Sequence, residues 1–235
     1  MIENTNREVL IPETDEVFLV GDFIYSCEES HRNNGTIFYR TVLRTMRNSG
    51  EFDYVPLVLE EKDKLVAMQD DTVRLRGLVL THYKPGKYKN VLMYVMVREI
   101  EKVPSNTPHE NVVYLAGDMS HYVEPDLRVT PLGRQICDFV VQRKHRTRDY
   151  TYNISCVGWG RTAELISCIG KGRKIAIKGR FQSRVYWKVE NGDELNKIPI
   201  RTHEISVTKL LRIHIWTSQK SLTICQRFFC CFLIC

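Results

Sequence analysis

The chain has 235 residues, of which 43% are hydrophobic and 26% are charged. It can therefore form one large or two small folded domains, and its composition excludes a largely disordered chain. The net charge of +6 is unevenly distributed, with a net −4 over residues 1–110, +7 over 111–211 and +3 over 212–235. A basic second region indicates a polyanionic partner, because clustered cations attract phosphates and release their counterions.

The eight cysteines predict neither a disulfide framework nor a metal site. Four of them are far apart and lie mostly in apolar, strand-like segments, where a free thiol behaves as a small buried hydrophobe. The other four crowd the last eleven residues without a histidine at zinc-ligand spacing. The start of the chain is acidic and polar and lacks the apolar core of a secretory signal. We therefore expect a cytoplasmic protein.

Two stretches of the first half recur in the second half. Residues 17–22 (VFLVGD) match residues 113–118 (VYLAGD) at an offset of 96, and residues 73–77 (VRLRG) match residues 175–179 (IAIKG) at an offset of 102. Between the copies, residues 103–109 are rich in proline and polar residues, as expected of a domain boundary. We therefore predict an internal duplication, with domains at 14–104 and 111–211 and an atypical C-terminal tail at 212–235.

Each copy alternates short β-branched or aromatic runs with turn residues, the pattern of a small all-β domain. In the first copy, residues 60–70 (EEKDKLVAMQD) are expected to form a short helix, and in the second copy Thr162–Ile169 takes the same place. A helix between the third and fourth of five strands is the plan of an OB-fold, a partly open Greek-key barrel. The predicted fold class is therefore all-β with tandem OB-folds, and the strands of the second copy are expected near 112–120, 134–143, 151–159, 173–182 and 202–210.

Five pieces follow one another in the second copy over about 100 residues: 113–117 (VYLAG), 125–133 (PDLRVTPLG), 159–164 (WGRTAE), 179–186 (GRFQSRVY) and 204–207 (EISV). Together they resemble the bacterial single-stranded DNA-binding protein family, in its two-OB-fold Gram-positive or clostridial form. The resemblance implies single-stranded DNA binding in replication, recombination or repair, without sequence specificity and without a cofactor.

Single strands expose the faces of their bases, so a protein that binds them needs aromatic platforms and a cationic track. If the third strand is regular, Ile154 and Cys156 face one way and Trp159 faces the other. Trp159 is predicted either to stack on a base or to plug the end of the barrel. The resemblance places Tyr186 at a hairpin tip that stacks on a base, and Tyr152 close to another family aromatic, with a spacing that is one residue off.

Cations alternate with apolar residues in the fourth strand, where Ile175 and Ile177 share one face and the basic residues share the other. Residues 143–148 (RKHRTR) correspond to the loop between strands two and three. This loop is predicted either to contact phosphate or to be a solvated turn. The predicted DNA-binding residues are Arg128, Arg143, Lys144, Arg146, Arg148, Tyr152, Trp159, Arg161, Lys174, Lys178, Arg180, Arg184, Tyr186 and Lys188.

The first copy is net acidic and has no tryptophan. Its aromatic residues Phe38, Tyr39, Phe52 and Tyr54 have fewer cations beside them, so it is predicted to be a diverged OB-fold for dimerisation or partner contact. Four OB-folds assemble in the family, which implies a homodimer, with replication or repair proteins as further partners. The chain ends RFFCCFLIC, far short of the ~20 apolar residues that cross a bilayer, so no membrane partner is expected.

Motifs for catalysis are not found in the sequence: there is no glycine-rich phosphate loop, no carboxylate cluster at motif spacing and no Cys-His arrangement. We therefore predict a protein that is not an enzyme and holds no metal. Two alternative functions stay open. One is an RNA-binding or primosome-type OB protein, and the other is an adaptor whose OB-folds bind proteins.

Overall fold

The computed structural model describes residues 15–64, 66, 69–84, 90–145, 149–190 and 193–211, of which residues 84, 90, 187–190 and 193–198 are described by their backbone alone. The first copy contains β1 (Glu16–Phe23), β2 (Glu28–Asn33), β3 (Thr36–Met46), β4 (Phe52–Glu60), α1 (Glu61–Lys64), β5 (Thr72–Lys84) and β6 (Asn90–Lys102). The second copy contains β7 (Glu110–Met119), β8 (Asp126–Val129), β9 (Gln135–Lys144), β10 (Thr151–Trp159), α2 (Arg161–Ser167), β11 (Lys174–Glu190) and β12 (Asp193–Leu210).

The strands form one sheet in the order β2-β3-β4-β6-β5-β1-β7-β11-β12-β10-β9-β8. This order is the same in both directions from the β1–β7 junction, as a duplicated fold requires. Pairing of β3 with β1 and of β7 with β9 closes a barrel in each copy. In each barrel the third and fifth long strands are parallel, β4 with β6 and β10 with β12. The predicted all-β class and the tandem OB-folds are confirmed.

Glycine is required at the point where each barrel closes. A Cβ atom at Gly21 would lie 2.4 Å from the carbonyl oxygen of Arg44, and one at Gly117 would lie 2.5 Å from that of Gln142. Both contacts are with the backbone of the closing strand, so a side chain would push the strands apart. The repeated VxLxGD pattern therefore preserves a close strand approach in both copies.

Replacing Gly117 by alanine is expected to lower the free energy of unfolding by about 1–3 kcal/mol, because the new methyl group overpacks the closure of the second barrel. The matched control is Gly170→Ala, where an added Cβ meets nothing within 4 Å. The control is expected to change stability by less than about 0.5 kcal/mol. Urea unfolding of the two variants compares them, and equal stabilities would show that the barrel closure tolerates a side chain.

Two features of the second copy differ from the predicted strands. The short strand β8 was not predicted, because its four exposed residues lie on the edge of the sheet and lack the alternation of a half-buried strand. The strands β11 and β12 are longer than predicted and pair from Ile177–Leu210 out to Glu190–Asp193. They extend beyond the barrel as a two-stranded ribbon, in which apolar and polar residues do not alternate as regularly as in the barrel part.

The two copies are joined by antiparallel pairing of β1 with β7, from Val17–Val113 to Val20–Glu110. Beside this junction, the side chain of Asn111 extends the sheet by binding the backbone of Phe181. Its Oδ1 accepts a hydrogen bond from the Phe181 N–H at 2.8 Å, and its Nδ2 donates to the Phe181 carbonyl oxygen at 2.9 Å. Backbone groups of β11 that β7 no longer pairs are satisfied in this way.

Asp53 on β4 connects the first copy to the ribbon of the second. Its carboxylate, 1% exposed, pairs with Arg47 at 2.6 Å and with Arg180 at 2.5 Å, and it accepts a hydrogen bond from the Ser183 N–H at 2.8 Å. The guanidinium of Arg47 also donates to the Ser183 carbonyl oxygen at 3.0 Å. A buried carboxylate with these partners fixes the ribbon on the first barrel.

In the described part of the chain, neither helix has the length and apolar character needed to cross a membrane.

Candidate nucleic-acid interface

Alternating residues separate the core of the second barrel from its outer surface. Phe139, Ile154, Cys156 and Ile205 are at most 3% exposed and point inward, as their pairings across β9, β10 and β12 require. Their neighbours point outward. We call this side of β8, β9, β10 and β12 the front face. Its exposed or partly exposed residues are Arg128, Asp138, Val140, Ser155 and Trp159, whereas Val157, Glu204 and Ser206 share the same parity but are buried.

Trp159 lies at the end of β10 on the front face and is 39% exposed. It lines an open cleft together with Val129, Arg134 and Gly160. The predicted orientation, opposite to Ile154 and Cys156, is the one observed. A half-exposed indole beside an arginine is suited to stacking on a base, and the exposed Arg161 follows at the start of α2.

Arg128 projects from β8 onto the same face, where its guanidinium pairs with Asp138 on the adjacent strand. Both side chains are partly exposed, at 46% and 34%. Exposed pairs of this kind are worth about 0–1 kcal/mol, so a phosphate can replace the carboxylate at little cost. Arg128 therefore lies on the front face with a guanidinium that is only weakly held, and its contact with DNA stays a prediction.

The ribbon supplies Arg184 at the edge of the front face. Its guanidinium is 3.2 Å from the carboxylate of Glu204, which also accepts a hydrogen bond from Gln182 at 3.1 Å. Tyr186, two residues further along β11, is 46% exposed. Since Tyr186 pairs with Ile200 within the ribbon, it lies along the ribbon and not at a hairpin tip. The side chain of Lys188 lies outside the described residues.

Arg180 is turned away from solvent and into the junction between the copies. Besides Asp53, it contacts Gln182, to which its guanidinium donates at 2.5 Å. Its side chain is only 28% exposed. We therefore assign Arg180 to the structure of the junction, a role that sequence could not show because Asp53 belongs to the other copy.

The basic segment 143–148 begins in the last two residues of β9, and its described residues differ in their contacts. Arg143 forms an ion pair with Asp15 of the first copy, whereas Lys144 is exposed. Burial raises the pKa of Asp15 to about 7, although the Arg143 guanidinium opposes that shift. Arg143 is thus another contact between copies, and Arg146 and Arg148 lie outside the described residues.

Tyr152 does not point onto the front face. It shares the inward parity of Ile154 and packs partly buried against the core, with Tyr150 in edge contact at 5.0 Å between ring centroids. The Tyr150 hydroxyl donates to the Thr81 carbonyl oxygen of the first copy at 3.3 Å. The one-residue difference in spacing noted in the sequence therefore corresponds to the opposite face of the strand.

Lys174 and Lys178 face strand β7 and are not beside Trp159. Lys174 pairs with Asp118 at 2.7 Å, and the Lys178 ammonium lies 5.5 Å from the ring centroid of Tyr114. Strand β12 lies between their strand and β10 in the sheet order. Arg128, Trp159 and Arg184 thus lie on or at the edge of the front face, and Arg161 and Tyr186 are exposed. Lys174 and Lys178 lie beside strand β7 instead.

The first copy has outward-facing aromatic residues with more cations beside them than the sequence indicated. On the outward sides of β3 and β4, Phe38 stacks with His31 at 4.7 Å, and Arg44 lies 4.9 Å above the ring of Phe52. Tyr54 is covered by Arg201 from the ribbon of the second copy, at 4.0 Å. The count of cations along the sequence missed Arg201, because only the fold brings it to the first copy. By contrast, Tyr39 is buried.

Among the described residues, no group of three or more histidines, cysteines or carboxylates is arranged to hold a metal ion. Cys137 and Cys156 are buried, as the sequence predicted for thiols in apolar strands. Burial raises the pKa of both thiols, that of Cys137 to about 11. They are therefore core residues and not nucleophiles.

Comparison with known proteins follows the same division of the chain. Residues 110–219 match the sequence model of the single-strand binding protein family. Among solved structures, the wild-type single-stranded DNA-binding protein from Thermus aquaticus is similar, with a TM-score of 0.67 and 19% identity over 88% of this chain and 96% of the other. A deletion mutant of that protein gives a TM-score of 0.66 and 17% identity, over 87% of this chain and 97% of the other.

No significant match is found among the curated proteins. The similarity to the Thermus aquaticus structures supports the fold of both barrels, whereas the family match is confined to the second copy. There the matched region contains the whole front face. The family match thus covers the second copy, just under half of the chain.

Proposed function

We propose that this protein binds single-stranded DNA on the front face of its second OB-fold and along the adjoining ribbon, as a non-enzymatic, cytoplasmic protein of DNA replication, recombination or repair. The domain division at 14–104 and 111–211 is part of this proposal. The match of residues 110–219 to the single-strand binding protein family supports it. The observation that carries it is the half-exposed Trp159, placed between cations on an outward sheet surface.

The side chains of this surface are suited to binding single-stranded DNA without sequence specificity. Trp159 and Tyr186 offer ring faces to bases, and Arg128, Lys144, Arg161 and Arg184 offer charge to the backbone. Base stacking is tolerant of sequence because every base has a π-face. A duplex hides those faces, so this surface favours single strands.

Affinity for single strands is expected to fall steeply with salt. The slope of log affinity against log salt is about −0.7 for each phosphate contacted in a single strand. Four to six phosphate contacts therefore give a slope of roughly −3 to −4. Titrating the protein with oligo-dT at salt concentrations from about 50 to about 400 mM, over which the Debye length falls from roughly 14 to roughly 5 Å, measures this slope. A slope near zero would remove the electrostatic part of the proposal.

A homodimer is the expected assembly, because it brings four OB-folds together as the family resemblance implies. Truncation after Leu211 is expected to preserve both the dimer and the DNA affinity, since the front face precedes that residue. Light scattering and oligo-dT titration of the truncated chain measure the two properties. Loss of either one would assign a structural role to residues 212–235.

RNA binding is the alternative that the same surface allows, because aromatic stacking does not itself distinguish the two sugars. Competition between oligo-dT and oligo-rU of equal length separates them. The proposal expects DNA to displace RNA, and equal competition would favour the RNA-binding alternative.

A further inference from the structure

Glu204 is a buried carboxylate at the centre of the proposed DNA-binding surface. It points outward from β12, on the parity of Ser206, which lies opposite Val157 of β10. Even so, it is only 5% exposed. Its side-chain partners are Gln182 and Arg184 on the neighbouring strand, at 3.1 and 3.2 Å. Arg184, by contrast, is 46% exposed and reaches solvent.

Charges of both signs surround this carboxylate. Arg180 and Arg184 on β11 and Arg128 on β8 act on it as cations, and Asp138 on β9 acts as an anion. Burial is the largest influence and raises the pKa of Glu204; Arg184 opposes the rise, and Asp138 adds to it. Ionised Glu204 therefore depends on Arg184, because a buried carboxylate without a cation is unfavourable.

This dependence makes Arg184 different from Arg128. The carboxylate of Asp138 is 34% exposed, so water can replace Arg128 when that guanidinium moves to a phosphate. The carboxylate of Glu204 has little access to water. Departure of Arg184 leaves Glu204 buried and ionised, unless the carboxylate takes up a proton.

We propose that Glu204 restrains single-stranded DNA binding by holding Arg184 on the protein, and that transfer of Arg184 to a phosphate is coupled to protonation of Glu204. This inference rests on the proposed function. It makes Glu204 a regulator of affinity that does not contact DNA. It also makes binding stronger as the pH falls, since protonated Glu204 no longer competes with phosphate for the guanidinium.

The test is Glu204→Gln, which keeps the shape and hydrogen-bonding capacity of the side chain and removes its charge. Oligo-dT affinity is expected to rise roughly threefold to tenfold, the size of one additional hydrogen bond of ordinary net strength. The salt slope is expected to become steeper by about 0.7, because one more phosphate is neutralised. Both are measured by the same fluorescence titrations as for the wild-type chain.

Two controls separate this effect from a general change of charge. Glu164→Gln removes an exposed carboxylate from α2 of the same barrel and is expected to leave affinity and slope nearly unchanged. In an Arg184→Ala background, Glu204→Gln is expected to give no gain, because the cation to be released is absent. A gain that persists without Arg184 would contradict the mechanism.

The pH profile gives a measurement that does not depend on the Glu204 variant. Because its pKa is raised, Glu204 begins to take up a proton above the ordinary glutamate range near pH 4.5. Wild-type affinity is therefore expected to increase between pH 8 and pH 5 by more than that of Arg184→Ala. Equal increases in the two proteins would overturn the inference, even if Glu204→Gln did not fold.

Failure of the inference and failure of the proposed function are distinguishable. If the wild-type chain shows no salt-dependent binding of oligo-dT, the proposed function is wrong and the inference falls with it. If the wild-type chain binds with the expected slope but Glu204→Gln has the same affinity and slope, the inference alone is wrong.

Discussion

Replacing Asp53 by alanine is expected to lower the free energy of unfolding by about 3 kcal/mol, the lower part of the range for removing one partner of a buried ion pair. The carboxylate is 1% exposed and is shared by Arg47 and Arg180, so both guanidinium groups lose their anion together. They are about a quarter exposed, which lets water compensate in part. The loss corresponds to a fall in Tm of roughly 6–12 °C for a chain of this size.

Asp118→Ala is the matched control for this variant. Asp118 also pairs with a cation, but its partner Lys174 is 62% exposed, and an exposed pair contributes about 0–1 kcal/mol. Thermal unfolding of both variants gives the comparison. A loss below about 1 kcal/mol would show that other contacts hold the ribbon on the first barrel.

Replacing Trp159 or Tyr186 by alanine is expected to weaken oligo-dT binding at least about fivefold, since stacking of a base on an aromatic ring is worth about 1–3 kcal/mol. Both rings are exposed, at 39% and 46%, so little packing is lost and Tm is expected to change little. Fluorescence anisotropy with a labelled oligo-dT measures both affinities, including that of the variant without Trp159.

Two control substitutions show the results expected for an exposed ring that does not bind DNA and for a ring buried in the core. Tyr25→Ala removes an exposed ring, 60% accessible, away from the proposed surface and is expected to leave affinity unchanged. Phe181→Ala empties a fully buried site and is expected to cost about 3–5 kcal/mol of stability. Trp159→Ala could instead lose stability, as Phe181→Ala does, while Tyr186→Ala keeps its affinity, as Tyr25→Ala does. That pair of results would show that the front face is not the DNA-binding surface.

The orientation of the barrel strands could be predicted from sequence because one side of each strand is buried. Alternation in β10 placed Ile154 and Cys156 inward and Trp159 outward, and the structure agrees. The repeat offsets located equivalent strands in the two copies. Their shared glycine has a structural cause, because Gly21 and Gly117 close their barrels by equivalent contacts. The lengths of β11 and β12 were missed, because residues 185–190 (VYWKVE) and 193–200 (DELNKIPI) do not alternate regularly between apolar and polar residues.

The roles of individual arginines depend on contacts that no local pattern reveals. Arg143 and Arg180 look like members of a phosphate track in the sequence, but each pairs with a carboxylate of the first copy, Asp15 or Asp53. Those partners come close only through the β1–β7 junction. The orientation of Trp159 was predicted correctly because it follows from strand parity within one barrel.

Titration of the full chain with oligo-dT, duplex DNA and RNA of equal length, followed by tryptophan fluorescence, tests the central claim most directly. We expect oligo-dT to quench the tryptophan fluorescence, since Trp159 stacks on a base. RNA is expected to bind more weakly, and the duplex much more weakly. The Trp159→Ala chain, which keeps the other two tryptophans, is expected to lose most of the quenching. Equal binding of duplex and single strand, or oligo-dT binding without a change at Trp159, would contradict it.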